Sequence, residues 1–321
     1  MSERINWTSR LGFILASAGA AVGLGAIWKF PYLAGSNGGS AFLFPYLVLS
    51  FTIGLTLVIA EITLGRLGKG GIVTAYRTIA GKGWSVFGYL GILTGFCVLC
   101  FYSAIGGWTI SYFIDALLGN GIVTDVSELN AHFGALVSNP YISIGYQAAF
   151  LFLTAWVVLF DVAKGIERLN KILMPLLFVL VLILIVRGMT LPGAEKGIAY
   201  LFAWKPETFT WQSLLAAMGF TFFSLCVGCG CMLTYGSYLS KDTNLLTGCS
   251  WITFLATFSS ILGGLMILPS VFAFDLDPTA GPGLTFMTMP IVFAKLPFGQ
   301  AFAVIFYLCL VLAALTSAVS L

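Results

Sequence analysis

The sequence predicts an all-α integral membrane protein in which two of the membrane-spanning helices are broken near their middles. Of the 321 residues, 59% are hydrophobic and 8% are charged, and the mean hydropathy is +1.01. A soluble domain must keep a wetted surface, which so few charges cannot supply. Two similar strings, Val22-Gly23-Leu24-Gly25 and Val227-Gly228-Cys229-Gly230, interrupt two of the apolar stretches. Non-helical backbone at membrane depth survives only where it lines a protected cavity, so these breaks indicate a binding site.

Apolar stretches recur along the chain and define the predicted helices. A helix needs about 20 apolar residues to cross roughly 30 Å of hydrocarbon. Most of the stretches reach that length, so the pattern predicts seven spans and a last one that runs to the end of the sequence. They cover residues 11–35, 41–64, 87–114, 143–160, 172–186, 211–239, 248–273 and 299–321.

Basic residues predict the orientation of the chain in the membrane. The segments on the side of the N-terminus hold ten of them and the opposite segments hold four, which predicts a cytoplasmic N-terminus. The net charge of +3 is therefore explained by the orientation of the chain in the membrane, and it does not indicate a basic surface that binds nucleic acid. The two groups are Arg4, Arg10, Arg66, Lys69, Arg77, Lys82, Lys164, Arg168, Lys171 and Lys241 inside, and Arg187, Lys196, Lys205 and Lys295 outside.

Two connecting segments carry further detail. Residues 118–140 lack Lys and Arg but contain Asp125 and Glu128, which predicts an external loop. Residues 273–297 contain four prolines, among them Pro282 and Pro290, and two glycines, which predicts an external loop that folds back toward the pore. No low-complexity linker divides the chain, so we expect a single transmembrane domain over residues 1–321.

The N-terminus and the cysteines each allow a second interpretation. Residues 4–25 have the basic start and apolar core of a secretory signal, but the apolar pattern continues through Trp28 and Phe30. The seven cysteines all lie in apolar spans, whereas the one histidine, His132, lies in a predicted loop. Zinc needs a complete set of ligands, so small core residues are the favoured interpretation of the thiols.

Glu61 is a carboxylate inside the second apolar stretch. An ionised carboxylate there costs about 2.5 kcal/mol or more unless it is paired, hydrogen-bonded or protonated. We expect Glu61 to accept hydrogen bonds from backbone amides that the breaks leave unpaired. The alternative is that it extends toward the cytoplasmic interface beside Arg66.

The breaks also predict chemistry that needs no charged side chain. A half-helix that begins near Gly25 offers free amides to an anion, and the carbonyls before Gly23 can ligate a hard cation such as sodium. Such a site suits a zwitterion together with an alkali ion. Tyr102 can donate to the same anion, and Thr316 and Ser317 each present an oxygen. Isolated helix hydroxyls, however, commonly bond back to carbonyls of their own helix.

The chain resembles the neurotransmitter:sodium symporter family, in its bacterial branch of sodium-dependent amino-acid transporters. The resemblance covers the whole chain, and its motifs are highly specific. They are WTSRLG at 7–12, AVGLGAIWKFP at 21–31, NGG at 37–39, Glu61 with Gly65-Arg66, GIER at 165–168, TYGSYL at 234–239 and LTSA at 315–318.

The resemblance implies an inverted-repeat sodium-symporter fold, like that of the leucine transporter, with helices 1 and 6 broken around a central site. The first repeat would cover about 11–188 and a partial second repeat about 211–321. The implied function is sodium-coupled symport of a neutral, hydrophobic or aromatic amino acid across the cytoplasmic membrane by alternating access. An enzyme activity is not implied, and a homo-oligomer is possible.

Site residues follow from the resemblance by position. Gly23 occupies the position at which amine carriers of the family have an aspartate, so an amino acid with its own carboxylate fits better than a monoamine. The implied sodium ligands are Gly19, Val22, Ala313, Thr316 and Ser317. The implied substrate residues are Leu24, Gly25 and Tyr102 for the carboxylate, Ala21, Phe223, Ser224 and Cys226 near the amino group, and Val98, Phe223, Cys229 and Ser317 around the side chain. The implied gate and structural residues are Arg4, Trp7, Lys29, Glu61 and Tyr238.

Three departures from the family pattern qualify these expectations. A second sodium site near Ala21 and Ser224 should be weak or absent, because Ala26 and either Leu255 or Ala256 replace asparagines. Chloride binding stays open: Tyr46 and Ser259 match its pattern, but Phe220 replaces a glutamine. Members of the family continue for several more spans, whereas this sequence ends at Leu321, within the eighth span. The alternative function is therefore a non-transporting membrane fragment or subunit that binds an amino acid.

Overall fold

The structure is a computed structural model that describes residue 7 and residues 10–120, 125–159, 162–240, 243–279 and 283–321. These residues form helices and connecting turns, with no strand among them. The helices are α1 Arg10–Ala21, α2 Phe30–Ser36, α3 Ser40–Leu49, α4 Leu55–Gly68, α5 Ile72–Ala80, α6 Ser85–Leu118, α7 Val126–Ser138, α8 Pro140–Leu159, α9 Val162–Met189, α10 Ala194–Phe202, α11 Trp211–Ser224, α12 Cys231–Gly236, α13 Leu245–Ala273, α14 Met289–Ala294 and α15 Gly299–Ala318. Short π-helical segments precede α2, α4 and α14 at Gly25–Lys29, Ser50–Gly54 and Leu284–Thr288.

Within the described residues, six helices are long and apolar enough to cross a membrane. A seventh span is the pair Leu11–Ala21 and Gly25–Ser36, which bends by 45° at the first break. The stretch predicted at 211–239 is divided more deeply than the sequence suggests, into a 14-residue α11 and a 6-residue α12. The six residues between them are not helical, so neither half alone is long enough to span a membrane.

Buried residues of α1, α6, α9, α13 and α15 form the centre of the protein. The outer faces remain apolar, as expected of helices that contact lipid on one side and protein on the other. The core interpretation of the cysteines is wrong for Cys97 and Cys100, which are exposed on α6. Hydropathy cannot tell the two faces of such a helix apart, since lipid tails are as apolar as the protein interior.

Both connecting segments that the sequence predicts as external contain helices. Residues 118–140 include α7, and residues 273–297 include α14. His132 on α7 lies 3.4 Å from Asp115 at the end of α6, and its ring packs edge-on against Tyr112. The Asp115 carboxylate raises the pKa of His132 above its ordinary value, against the opposite effect of partial burial. This pair ties α7 to the end of the long third span.

Candidate binding site at the helix breaks

The two breaks lie against a cavity of ≈170 Å³. Its lining is mostly apolar, with a few polar atoms from Tyr102, Ser224 and Ser317 and from the cysteines. The predicted substrate residues that line it are Ala21, Gly25, Val98, Tyr102, Phe223, Ser224, Cys226, Cys229 and Ser317; Leu24 is beside it but does not line it. Five further residues line the cavity without having been predicted: Ala20, Thr94, Phe222, Val227 and Leu321. Gly23 also lines it, and the sequence indicated this position only by its lack of an aspartate.

The first break is held by contacts with neighbouring helices. The Leu24 amide donates to the Tyr102 hydroxyl at 3.0 Å, so one of the amides predicted to bind an anion is already paired with the side chain predicted to assist it. A Cβ at Gly23 would overlap Ser317 Oγ and lie 2.7 Å from the Tyr102 hydroxyl. A Cβ at Gly25 would lie 2.8 Å from the Phe223 ring. Both glycines are therefore needed for space.

The second break is held by its backbone and by Glu61. Three of its residues, Cys226, Gly228 and Gly230, have φ values of 52°, 89° and 84°, in the left-handed region that favours glycine. The Gly228 amide donates to Glu61 Oε1 at 2.6 Å. Glu61 thus reaches across from α4 to an amide that the broken helix leaves without an internal acceptor.

Thiols extend this second break into the cavity. Cys226 Sγ donates to the Ala20 carbonyl at 3.3 Å and so joins the second break to the helix before the first. Cys229 Sγ lies 3.4 Å from Cys231 Sγ, and Cys231 Sγ donates to the Ser320 carbonyl at 3.1 Å. All three are free thiols. With its thiol at the cavity wall, Cys229 takes up less of the cavity than a bulkier residue would.

One predicted sodium ligand of α15 contacts α1, and a second bonds within α15. Ser317 Oγ donates to the Gly19 and Ala20 carbonyls at 3.2 and 2.9 Å, and Thr316 Oγ1 donates to the Ala313 carbonyl at 3.0 Å. All of these residues are buried. Carbonyl and hydroxyl oxygens are the neutral, hard donors that suit an alkali ion, so the residues present fit sodium. Val22 is buried beside them, at 1% exposure.

The predicted second sodium site offers fewer oxygens. Ser224 Oγ is bonded to the Thr221 carbonyl and lies 3.3 Å from the Tyr46 hydroxyl. Ala26 is buried against α13, where a Cβ at Gly263 would overlap the Ala26 carbonyl. Close packing of these two backbones therefore occupies the side of Ala26 that faces α13.

The two residues that match the chloride pattern form hydrogen bonds with different partners and not with each other. Tyr46 donates to Ser260 Oγ at 3.2 Å, whereas Ser259 Oγ bonds back to the Leu255 carbonyl at 2.7 Å. The Phe220 ring lies 5.0 Å from the Tyr46 ring and is buried. An apolar ring thus stands beside the tyrosine that this pattern requires.

Two of the predicted gate residues contact different halves of the second broken stretch. Trp7 Nε1 donates to the Tyr235 carbonyl at 3.1 Å, and the Trp7 ring packs edge-on against Tyr238. Lys29 Nζ lies 3.9 Å from the centre of the Phe223 ring. Arg4, the remaining predicted gate residue, lies outside the described residues.

Comparison with known proteins decides the family. The profile described as Sodium:neurotransmitter symporter family matches residues 4–122 and 143–321. The chain belongs to this family. It is therefore a multi-pass membrane protein and a sodium-dependent transporter, not an enzyme.

Individual relatives are similar over nearly the whole of this chain. An uncharacterized sodium-dependent transporter of Bacillus subtilis is 39% identical over 324 residues, which cover 100% of this chain and 72% of the relative. The human sodium- and chloride-dependent GABA transporter 2 is 30% identical over 368 residues, which cover 98% of this chain and 60% of the relative. The crystal structure of MhsT in complex with L-phenylalanine superposes with a TM-score of 0.92 at 42% identity, over 99% of this chain and 72% of MhsT. The predicted sodium-symporter fold with broken helices is thus confirmed.

Proposed function

We propose that this transporter carries a neutral amino acid with a hydrophobic or aromatic side chain, together with sodium, across the cytoplasmic membrane by alternating access. The observation that carries the proposal is the position of Ser317. Its hydroxyl lines the cavity and also donates to the Gly19 carbonyl of the proposed sodium site. Substrate and ion would therefore share one side chain, and each can stabilise the arrangement that the other needs.

The chemistry of the cavity supports an amino acid over an amine. Where an amine carrier needs a carboxylate, this chain has Gly23, which leaves no room for any side chain because Ser317 and Tyr102 approach so closely. The substrate must therefore supply its own carboxylate. Its partners would be the amides of Leu24 and Gly25 and the Tyr102 hydroxyl, with the Leu24 amide released from its present bond to Tyr102.

The polarity of the cavity supports an apolar side chain. Its lining is mostly apolar, with a few polar groups that can fix the orientation of a substrate. Val98, Phe223 and Cys229 would contact the side chain, and Ala21, Ser224 and Cys226 would face the amino group. The crystal structure of MhsT, which contains L-phenylalanine, supports the same class.

Sodium would bind between α1 and α15 at Gly19, Val22, Ala313, Thr316 and Ser317. Binding would replace the hydroxyl-to-carbonyl hydrogen bonds of Thr316 and Ser317 with ion contacts, and so draw the two helices together. A second sodium ion near Ala21 and Ser224 is not part of the proposal, since alanine at position 26 supplies no side-chain oxygen. Chloride is not part of it either, because Phe220 packs against Tyr46.

The gates support alternating access with a cytoplasmic N-terminus. Trp7 seals the half of the protein that contains the N-terminus through Tyr235 and Tyr238. Lys29 over the Phe223 ring would close the opposite side above the substrate. During transport the Trp7 contacts and the Lys29 contacts would break in turn, while the central site between them stays in place.

The test is uptake of radiolabelled L-phenylalanine by the full-length protein in proteoliposomes, with an inward sodium gradient and competition by each common amino acid. We expect uptake that needs sodium, that hydrophobic and aromatic amino acids compete for, and that Thr316→Ala combined with Ser317→Ala abolishes. Thr154→Ala is the matched control, because Thr154 is a buried residue of α8 whose hydroxyl bonds to the Phe150 carbonyl of its own helix. Uptake that is indifferent to sodium, or unchanged in the double variant, would contradict the proposal.

A further inference from the structure

Asn170 is a polar side chain in the centre of the protein that no part of the proposed function uses. It lies on α9 and is 0% exposed. Its Nδ2 donates to the Ile166 carbonyl of the same helix at 3.0 Å. Among the described residues, its Oδ1 has no hydrogen-bond partner.

The direction of that oxygen is set by the other half of the amide. Because Nδ2 is held by the Ile166 carbonyl, Oδ1 must point away from α9. It points at Gly19 on α1, where a Cβ would overlap it. Position 19 is therefore glycine because the Asn170 amide oxygen occupies the space next to its Cα atom.

Gly19 is also the residue whose carbonyl receives the Ser317 hydroxyl from α15. One residue of α1 is thus approached by an unpaired amide oxygen from α9 and by a hydroxyl oxygen from α15. The helices α1, α9 and α15 pack against one another in pairs, so the oxygens face a common junction.

An unpaired buried carbonyl-type oxygen is costly. Leaving a buried polar atom without a partner costs about 1–3 kcal/mol, and native proteins satisfy nearly all such atoms with protein, water or an ion. The amide oxygen of asparagine is a neutral, hard donor, of the same kind as the carbonyl and hydroxyl oxygens beside it.

We propose that Asn170 Oδ1 is an additional oxygen for the sodium ion, contributed from α9 to the site between α1 and α15. The inference rests on the proposed function, because it adds a donor to the site of Thr316 and Ser317. With it, the ion joins three helices, so that sodium binding also holds the first half of α9 against α1.

The nearest ionised groups do not supply this role. Glu167, one turn earlier on α9, is buried but forms an ion pair with Lys171 at 2.7 Å. Its carboxylate lies against Gly12, two turns before Gly19 on α1. The site therefore takes a monovalent cation on neutral oxygens, with the charged pair placed further along the α1–α9 contact.

The test is equilibrium binding of radioactive sodium to the purified full-length protein, without substrate, in choline buffer. Asn170→Leu keeps the approximate size of the side chain and removes the oxygen, and we expect it to weaken sodium binding about tenfold, as loss of one supporting donor does at other metal sites. Asn170→Asp keeps an oxygen at that position and should retain sodium binding. Asn130→Leu, at an exposed asparagine of α7, should leave it unchanged.

A second measurement separates ligation from folding. Asn170→Leu removes an unsatisfied buried oxygen, so the melting temperature in choline should not fall, while the increase that sodium produces should shrink. Normal sodium affinity in Asn170→Leu, with affinity lost in Thr316→Ala, would overturn this inference and leave the sodium site intact. Absence of saturable sodium binding in the wild-type protein, or binding unaffected by Thr316→Ala, would instead overturn the proposed function.

Discussion

The two breaks contain nearly the same four residues but need glycine for different physical reasons. In the first, neighbouring side chains fill the space: a Cβ at Gly23 would overlap Ser317 Oγ, and one at Gly25 would press on Phe223. In the second, a Cβ at Gly228 would meet nothing within 4 Å, but the φ of 89° disfavours any other residue. The first break is shaped by what surrounds it, and the second by its own backbone.

This difference assigns the breaks different tasks. The first presents carbonyls and amides in close contact with α6, α11 and α15, as a binding site requires. The second is a strained turn that Glu61 stabilises through the Gly228 amide and that places the Cys229 thiol at the cavity wall. Substitutions at the first break should therefore impair binding, whereas substitutions at the second should mainly impair stability.

Gly23→Ala should have the largest effect. Forcing a methyl group into this site displaces Ser317 and Tyr102, and overpacking of this kind costs about 1–3 kcal/mol, or roughly tenfold to a hundredfold in affinity. We expect sodium-dependent binding of L-phenylalanine to weaken by that factor. Gly219→Ala on α11 is the matched control, because a Cβ there meets nothing within 4 Å. Normal binding in Gly23→Ala would contradict the role of close packing at the first break.

Glu61→Leu should have the next largest effect, and on stability. It removes the acceptor of the Gly228 amide, which is exposed, and a hydrogen bond to a carboxylate contributes about 1.5–3 kcal/mol. We expect a lower melting temperature in detergent, with much of the loss recovered in Glu61→Gln, which keeps an acceptor oxygen. Equal stability of the leucine and wild-type proteins would show that the second break does not depend on this contact.

Gly228→Ala should have a smaller effect. The methyl group has room, so the cost is the left-handed backbone alone, about 1–2 kcal/mol. Gly228→Asn should cost less than Gly228→Ala, since asparagine tolerates this conformation. Thermal unfolding should show this order, while substrate affinity should stay within about threefold of wild type, a change worth well under 1.4 kcal/mol. A loss of affinity as large as in Gly23→Ala would remove the distinction between the breaks.

The His132–Asp115 pair is not part of either break, and a change there should have the smallest effect. It serves as a reference for the substitutions at the two breaks. Asp115 raises the pKa of His132 in the folded protein. The pair therefore makes its full contribution to stability at pH values below the ordinary pKa of 6.5, and this contribution is lost as the pH rises through the raised pKa. We expect a slight fall in melting temperature between pH 6 and pH 8.5 that His132→Gln removes. Substrate affinity should not follow this change; a parallel fall would place the pair within the transport mechanism.

Much of the site was predictable because the chemistry of the breaks is local in sequence. Two Gly-containing interruptions in apolar stretches indicate exposed backbone wherever they occur, and most of the predicted substrate residues do line one cavity. The Asn170 amide was missed because a single asparagine near the start of a helix resembles an ordinary interfacial residue. Only its burial and its unpaired oxygen distinguish it.

The sequence by itself determined the membrane class, the positions of most spans and the two breaks, because hydropathy and glycine act through local preferences. The tertiary structure decided which face of each helix is buried, which left Cys97 and Cys100 exposed. It also decided that Tyr46 pairs with Ser260 and not Ser259, and that the two sets of glycines serve different ends. Lipid and protein interior are equally apolar, so hydropathy cannot orient a helix, and contacts between residues far apart in the chain exist only once the helices have packed.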